Sequence, residues 1–246
     1  MQELRGILGE RHRRLRVSAA GVIVAVVALA VPAGAGPSRT YGPPYSSYGD
    51  TANSCTSGAT CGPTWAGTAQ GSVRATSSYN RSAPSTGEAE QSSAYSGMMT
   101  YLVLPRGTSA ATVTFTWHIT RAVSVAKAGK GVVYTGTSIS AGVVCGSSCT
   151  AERAFSEVTA QCAEANGCFT QPPPSVAGKN MSVRIRLSNV SGQFITAYSS
   201  AYAFSTAMEG CLLFLANQCQ TLDHSHSGKA TSSIDARLLS IQVTTG

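Results

Sequence analysis

Between residues 112 and 119 every second side chain is large and apolar: Val113, Phe115, Trp117 and Ile119 alternate with Thr112, Thr114, Thr116 and His118. Successive side chains of an extended chain point to opposite sides, so this pattern specifies a strand with one buried face and one wet face. Met181, Val183, Ile185 and Leu187 alternate in the same way with Ser182, Arg184, Arg186 and Ser188, and Leu239, Ile241 and Val243 repeat the pattern near the C-terminus. Further strands are expected at 70–79, 94–104, 131–144, 194–206, 211–216 and 229–237, with 229–243 as one long bent strand. Turn formers separate these segments, and the crossover helices that a parallel sheet requires do not recur between them. The expected fold class is therefore all-β: an antiparallel two-sheet β-sandwich, jelly-roll or Ig-like.

One segment departs from the period of two. Ala151, Phe155, Val158, Cys162 and Ala165 are spaced by four, three, four and three, and Asn166-Gly167 follows as a stop. That spacing predicts a short helix, tied by flanking cysteines into an excursion from the sandwich near 145–175. Alternation is the competing pattern there, and it places Phe155 and Glu157 on one face.

The N-terminus has a different character. Arg5, Arg11, Arg13, Arg14 and Arg16 precede an apolar run from Val17 to Val31, and Pro32 then leads into Ala33-Gly34-Ala35. This is the layout of an export signal, with cleavage expected after Ala35. As a helix the fifteen-residue apolar run spans only about 22 Å, short of a ~30 Å hydrocarbon core, so no membrane span is expected in the mature chain. Cleavage lowers the net charge from +7 to +4, because five of the 18 basic and two of the 11 acidic residues lie in the leader. The remaining cations are scattered, with no basic run and no interleaved aromatics, and no nucleic-acid partner is expected. Residues 36–68 are rich in Gly, Pro and Tyr and read as a tether or strap. Residues 69–246 form the sandwich domain.

All eight cysteines follow the cleavage site: Cys55, Cys61, Cys145, Cys149, Cys162, Cys168, Cys211 and Cys219. An even count in an exported chain reads as four disulfides. Their spacing favours local bridges, 55 to 61, 145 to 149, 162 to 168 and 211 to 219. Pairing across 145–168 is the alternative for the two middle couples.

Motifs for chemistry are sparse. Asp223-His224-Ser225-His226 places two imidazoles two residues apart, on one side of an extended chain, and Asp223, His224 and His226 are the candidate metal ligands. A third or fourth ligand has to come from elsewhere, with His118 and Asp235 as the nominees. No G-x-S-x-G elbow is present, no histidine spacing selects a triad, and no carboxylate pair stands out. No cofactor is expected. Sequons occur at Asn80, Asn180 and Asn189.

Aromatics carry the binding alternative. Phe194, Tyr198, Tyr202 and Phe204 share one parity of a strand whose other parity is rich in Ala and Ser. Facing outward they form a stacking platform; facing inward they fill the core, which the sequence favours because no other strand is so rich in large side chains. Trp65, Tyr198 and Tyr202 are the candidate ligand-binding residues. The sequence thus points to a secreted, extracellular, disulfide-stabilised, non-catalytic structural or interaction module with an unidentified cell-surface partner. The alternatives are a carbohydrate-binding domain using exposed aromatics, and a secreted hydrolase or metal-dependent enzyme.

Overall fold

The computed structural model describes residues 37–145, 149–151, 155–165, 177–190, 194–208 and 225–246, of which 155–165 are described as backbone only. Every regular element among them is a strand. Four short strands come first: β1 (Ser38–Tyr41), β2 (Ser46–Asn53), β3 (Ala59–Cys61) and β4 (Thr64–Gly67). The long strands β5 (Ser72–Ser85), β6 (Glu90–Val103), β7 (Ala110–Lys130) and β8 (Val132–Val144) follow, then β9 (Thr150–Ala151) and β10 (Phe155–Ala165). β11 (Lys179–Ser188), β12 (Phe194–Met208) and β13 (His226–Thr245) complete the chain.

They form two antiparallel sheets. The larger runs β3-β5-β13-β7-β11-β9, with β1 added to β13 and β4 to β5; the smaller runs β10-β8-β12-β6-β2. The two-sheet sandwich is as the alternation predicts. The strap of residues 38–67 is built into both sheets, since β2 extends the smaller sheet while β1, β3 and β4 pair within the larger. The bent C-terminal strand is also present. β13 pairs with β7 over nearly its whole length, and its ladder shifts register at Ser227/Gly228, Asp235/Ala236 and Leu238/Ser240. The expected strand at 211–216 lies outside the described residues.

The helix expected from the three-and-four spacing is not formed. Residues 155–165 pair with β8 from Phe155↔Ala141 to Ala165↔Val132. A bulge between Val158 and Ala160 interrupts this ladder. An extra residue in one strand shifts its parity, so a bulged strand loses a clean period of two and can mimic helical spacing. The backbone groups of this segment that face β8 pair with its edge, and the sheet overrides local pattern.

Between the sheets lies one main core. β7 supplies Val113, Phe115, Trp117 and Ile119, all fully buried, and β11 and β13 add Val183, Ile185, Ile234 and Ile241. The smaller sheet answers with small groups, Ala197, Ala201 and Ala203 from β12 and Ala141 from β8, together with Met98, Leu102 and Ile139. Sheets pack at a spacing of about 10 Å, so an indole opposite a sheet leaves room for little more than methyl and hydroxymethyl groups beneath it. Trp117 shows this directly, since its Nε1 donates to Ser199 Oγ at 2.9 Å across the two layers. At Gly131 the chain passes from β7 to β8, and therefore from one sheet to the other, at φ 63°. A Cβ there would sit 2.5 Å from the Met208 carbonyl oxygen, so glycine is required by both conformation and space.

Candidate functional site

The alanine parity of β12 lines the core, and the aromatic parity therefore faces outward. This reverses the inward orientation favoured by sequence. Phe115 and Trp117 of β7, with Tyr45 beside them, supply the rings of the main core, and once they occupy the interlayer space β12 has no room for a second set. Phe194, Tyr198, Tyr202 and Phe204 are displayed on the outer face of the smaller sheet, Phe194 at 68% exposure and the other three half-buried.

Register assembles the rest of the face. Tyr202 lies opposite Tyr95 on β6 and Ser138 on β8; Thr196 lies opposite Tyr101 and Val144; Thr206 lies opposite Gln91 and Tyr134. On the far side of β6, β2 contributes Tyr48 opposite Gly97 and Asp50 opposite Tyr95. The rings touch one another. Tyr202 and Phe204 stack at 5.8 Å, Tyr134 tilts against Phe204 at 5.0 Å, and Tyr48 meets Tyr95 edge-on at 6.1 Å. Asp50 is the single formal charge that β2, β6, β12 and β8 place on this face.

Glycines let the rings lie flat. A Cβ on Gly97 would fall 2.4 Å from Tyr48 Cζ, and one on Gly142 would fall 2.1 Å from Tyr198 Cζ and Oη. Each tyrosine thus covers the bare backbone of a neighbouring strand, an arrangement that recovers the packing a glycine forfeits. Burial is the main reason the Tyr48 hydroxyl is pushed up to about 12, with Tyr198 and Tyr95 adding to the shift and a hydrogen bond with Ser200 opposing it. Burial likewise raises Tyr134 and Tyr202, the latter against hydrogen bonds with Ser93 and Gln91. These phenols stay neutral hydrogen-bonding groups through the physiological range.

The face has a packed half and an open end. Toward the start of β12, Tyr101 (66% exposed), Phe194 and Val144 (57%) stand free beside Thr196. Tyr101 was hidden in the sequence, yet its signal is there: Tyr95, Gly97, Met99 and Tyr101 share one parity of β6, and Ala94, Ser96, Met98 and Leu102 the other.

Of the candidate ligand-binding residues, Tyr198 and Tyr202 share this face, and Trp65 does not. Trp65 projects from β4 onto Gly49, whose missing side chain leaves room for the indole at the edge of the sandwich. It remains 40% exposed.

The candidate metal ligands are divided. Asp223 and His224 lie outside the described residues, and His226 opens β13 in a buried position. Its Nε2 is 3.5 Å from Glu90 Oε2. Glu90 is 1% exposed and is the centre of a polar cluster. Arg81 binds it through Nε at 2.9 Å and Nη2 at 2.7 Å, Tyr79 Oη donates at 2.9 Å, and the Thr56 amide at 3.0 Å. Burial works to raise the Glu90 carboxyl, but the donors from Arg81, Thr56 and Tyr79 overcome it and hold the group well below the usual carboxylate range. The nominated third ligands are elsewhere: His118 Nδ1 pairs with Asn180 Oδ1 at 2.9 Å, and Asp235 with Arg74 at 2.7 Å. Among the described residues no three His, Cys, Asp or Glu side chains cluster as a metal site.

Cys55–Cys61 and Cys145–Cys149 are bonded, as the spacing predicts. The first closes the loop that brings Thr56 to Glu90. The side chains of Cys162, Cys168, Cys211 and Cys219 lie outside the described residues. A groove of about 380 Å³ runs between Pro37–Arg39, Val103–Pro105 and Val243/Thr245. Arg39 is its one ionisable side chain, so it holds no acid–base pair.

No family model matches the chain, and no curated protein matches it. Among solved structures it is similar to TmCBM61, described in complex with beta-1,4-galactotriose. The match is 11% identical, covers 78% of this chain and 87% of the other, and has a TM-score of 0.22.

Proposed function

We propose that this chain is an exported, disulfide-stabilised sandwich whose work is binding, and that it binds uncharged glycan chains on the outer face of the smaller sheet. The observation that carries this reading is the outward parity of β12, which places Phe194, Tyr198, Tyr202 and Phe204 on one face with Tyr48, Tyr95 and Tyr101. Sugar rings present C–H faces that pack on aromatic rings and hydroxyls that need partners at the margin. Here the polar groups interleaved with the rings are Ser138, Ser140, Ser200, Thr196 and Gln91, with Asp50 the one carboxylate on this face among the described residues. A surface so poor in charge discriminates by shape and hydroxyl pattern, which suits a neutral polymer. Residues 1–35 act as the export signal, which delivers the module to the oxidising compartment where its cysteines pair.

Affinity electrophoresis through gels containing neutral polysaccharides such as galactan, xylan and glucan tests the reading. At least one of them should retard the wild-type protein. Tyr101→Ala combined with Phe194→Ala should abolish the retardation while the denaturation midpoint stays unchanged. Equal retardation of the wild type and this double variant removes the aromatic face from consideration. Sequencing the mature N-terminus tests export separately, with Gly36 expected first.

A further inference from the structure

The opposite face of the molecule is chemically unlike the first. β7, β11, β13 and β5 turn outward the polar parity of their alternation, rich in Thr and Ser, and cations that are scattered in sequence meet there through register. Arg184 on β11 lies in the row of Thr114 and Gln242, Arg237 on β13 lies opposite His118, and Arg121 follows a few residues along β7. At the far end Lys127 faces Lys229 directly across the ladder. All five of these side chains are exposed. The one carboxylate on this face among the described residues, Asp235, is held by Arg74.

Like charges directly opposite on neighbouring strands destabilise a sheet. The Lys127/Lys229 pair has no compensating carboxylate among the described residues, and positions that break a local rule in this way tend to be functional ones. The spacing also indicates its size: from Thr114, the register partner of Arg184, to Lys127 is 13 residues of β7, or roughly 40 Å at ~3.4 Å per residue. A small anion meets one arginine or the Lys127/Lys229 pair, whereas a chain of anions can reach all five cations.

We propose that the outer face of the larger sheet binds an anionic polysaccharide, a polymer carrying carboxylates or sulfates, laid across β11, β13 and β7 from Arg184 to the Lys127/Lys229 pair. Hydroxyls outnumber cations on this surface, which suits a polyhydroxylated chain with intermittent charge. A nucleic acid calls for denser cations and for rings on which its bases stack, and among the described residues this face presents no aromatic side chain. A bilayer calls for Trp, Phe or Leu reaching below the headgroups; the exposed apolar groups here are Val123, Val125 and Leu239, two of them too short for that reach. The site is independent of the aromatic face.

The mature chain should be retarded in gels containing polygalacturonate or dextran sulfate, less so as NaCl is raised, and the Tyr101→Ala/Phe194→Ala variant should be retarded by dextran sulfate but not by neutral dextran. Arg184→Glu with Arg237→Glu should weaken retention at least tenfold. Lys127→Glu should weaken binding while holding or raising the thermal midpoint, because it exchanges a repulsive cross-strand pair for an attractive one. This separates loss of a site from loss of the fold. Tyr101→Ala with Phe194→Ala should leave polyanion binding intact, so failure of the neutral-glycan reading is distinguishable from failure of this one. The proposal is overturned if charge reversal leaves retention unchanged, if neither polyanion retards the wild type, or if duplex DNA or phosphatidylglycerol vesicles bind more tightly at the same ionic strength.

Discussion

Replacing Glu90 by Gln should be among the most damaging single changes in this protein although it alters only one functional group. Glu90 is 1% exposed and Arg81 6%, and the pair is joined by two hydrogen bonds at 2.7 and 2.9 Å. Glu90→Gln removes the counter-charge and leaves the guanidinium buried, a change worth about 3–5 kcal/mol in comparable pairs. The amide can still accept from the Thr56 nitrogen, but its NH2 group faces the Arg81 and Tyr79 donors, so the geometry recovers little. For a domain of this size such a loss lowers the thermal midpoint by about 6–20 °C. Urea denaturation at pH 7, followed by the emission of buried Trp117, gives the free energy.

Arg81→Met should cost a similar amount, and the combination Glu90→Gln/Arg81→Met should cost no more than the worse single change, since neither charge is then stranded. The pH dependence has a definite sign. Glu90 titrates lower in the folded chain than in the unfolded one, so its contribution is fully present above the unfolded value of about 4.3 and is lost as pH falls through the depressed folded value. Wild-type stability should therefore decline below about pH 4, and the Glu90→Gln variant should lack that part of the decline. A cost below about 1 kcal/mol, or strict additivity in the double variant, would refute the account of Glu90 and Arg81 as a coupled buried pair.

Two further outcomes follow from the geometry. Gly142→Ala puts a methyl where the Tyr198 ring lies, and because the clash is with the far end of a side chain the ring should swing away at little cost in stability. Difference ultraviolet titration should then show a lower apparent pKa for Tyr48, which Tyr198 helps to raise, and an unchanged curve would contradict the stacked arrangement. Ser199→Ala removes the acceptor of the Trp117 indole and should cost about 1–3 kcal/mol, read as a lower urea midpoint together with a change in the near-ultraviolet circular dichroism of tryptophan.

The sandwich was legible because alternation is a direct projection of the pleat. Once Val113, Phe115, Trp117 and Ile119 claim one side, β7 has no freedom of register, and the same holds for Met181 to Leu187 on β11. Residues 155–165 were misread because a bulge changes parity in mid-strand, and bulges depend on the partner strand, which no local window contains. The aromatic face was misassigned for a related reason. Alternation divides β12 into two sets but does not say which set faces in; that is decided by volumes on β7, some eighty residues away. The long bent strand over 229–243 and the two bonded disulfides had local signatures and are present. The Glu90 cluster draws on Thr56, Tyr79, Arg81 and His226, four positions with no shared motif, so only the folded chain brings them together.

The same accounting explains why the two outer faces differ so sharply. Opposite Phe115 and Trp117 of the larger sheet, β12 and β8 present alanine and serine, while Met98, Leu102, Ile139 and Ile195 of the smaller sheet fill the core elsewhere. The rings of the smaller sheet are therefore turned to its outer side, where they settle on Gly97 and Gly142. The larger sheet has spent its apolar residues inside and keeps Thr, Ser, Arg and Lys outside. If both proposed sites bind as argued, the two outer faces of one sandwich hold two unlike polymers at once. Mixing the protein with a neutral and an anionic polysaccharide should then produce a three-component precipitate that neither polymer gives with the protein alone, and that both the Tyr101→Ala/Phe194→Ala and the Arg184→Glu/Arg237→Glu variants fail to form. A precipitate that survives either variant would show that the two surfaces do not act as a bridge.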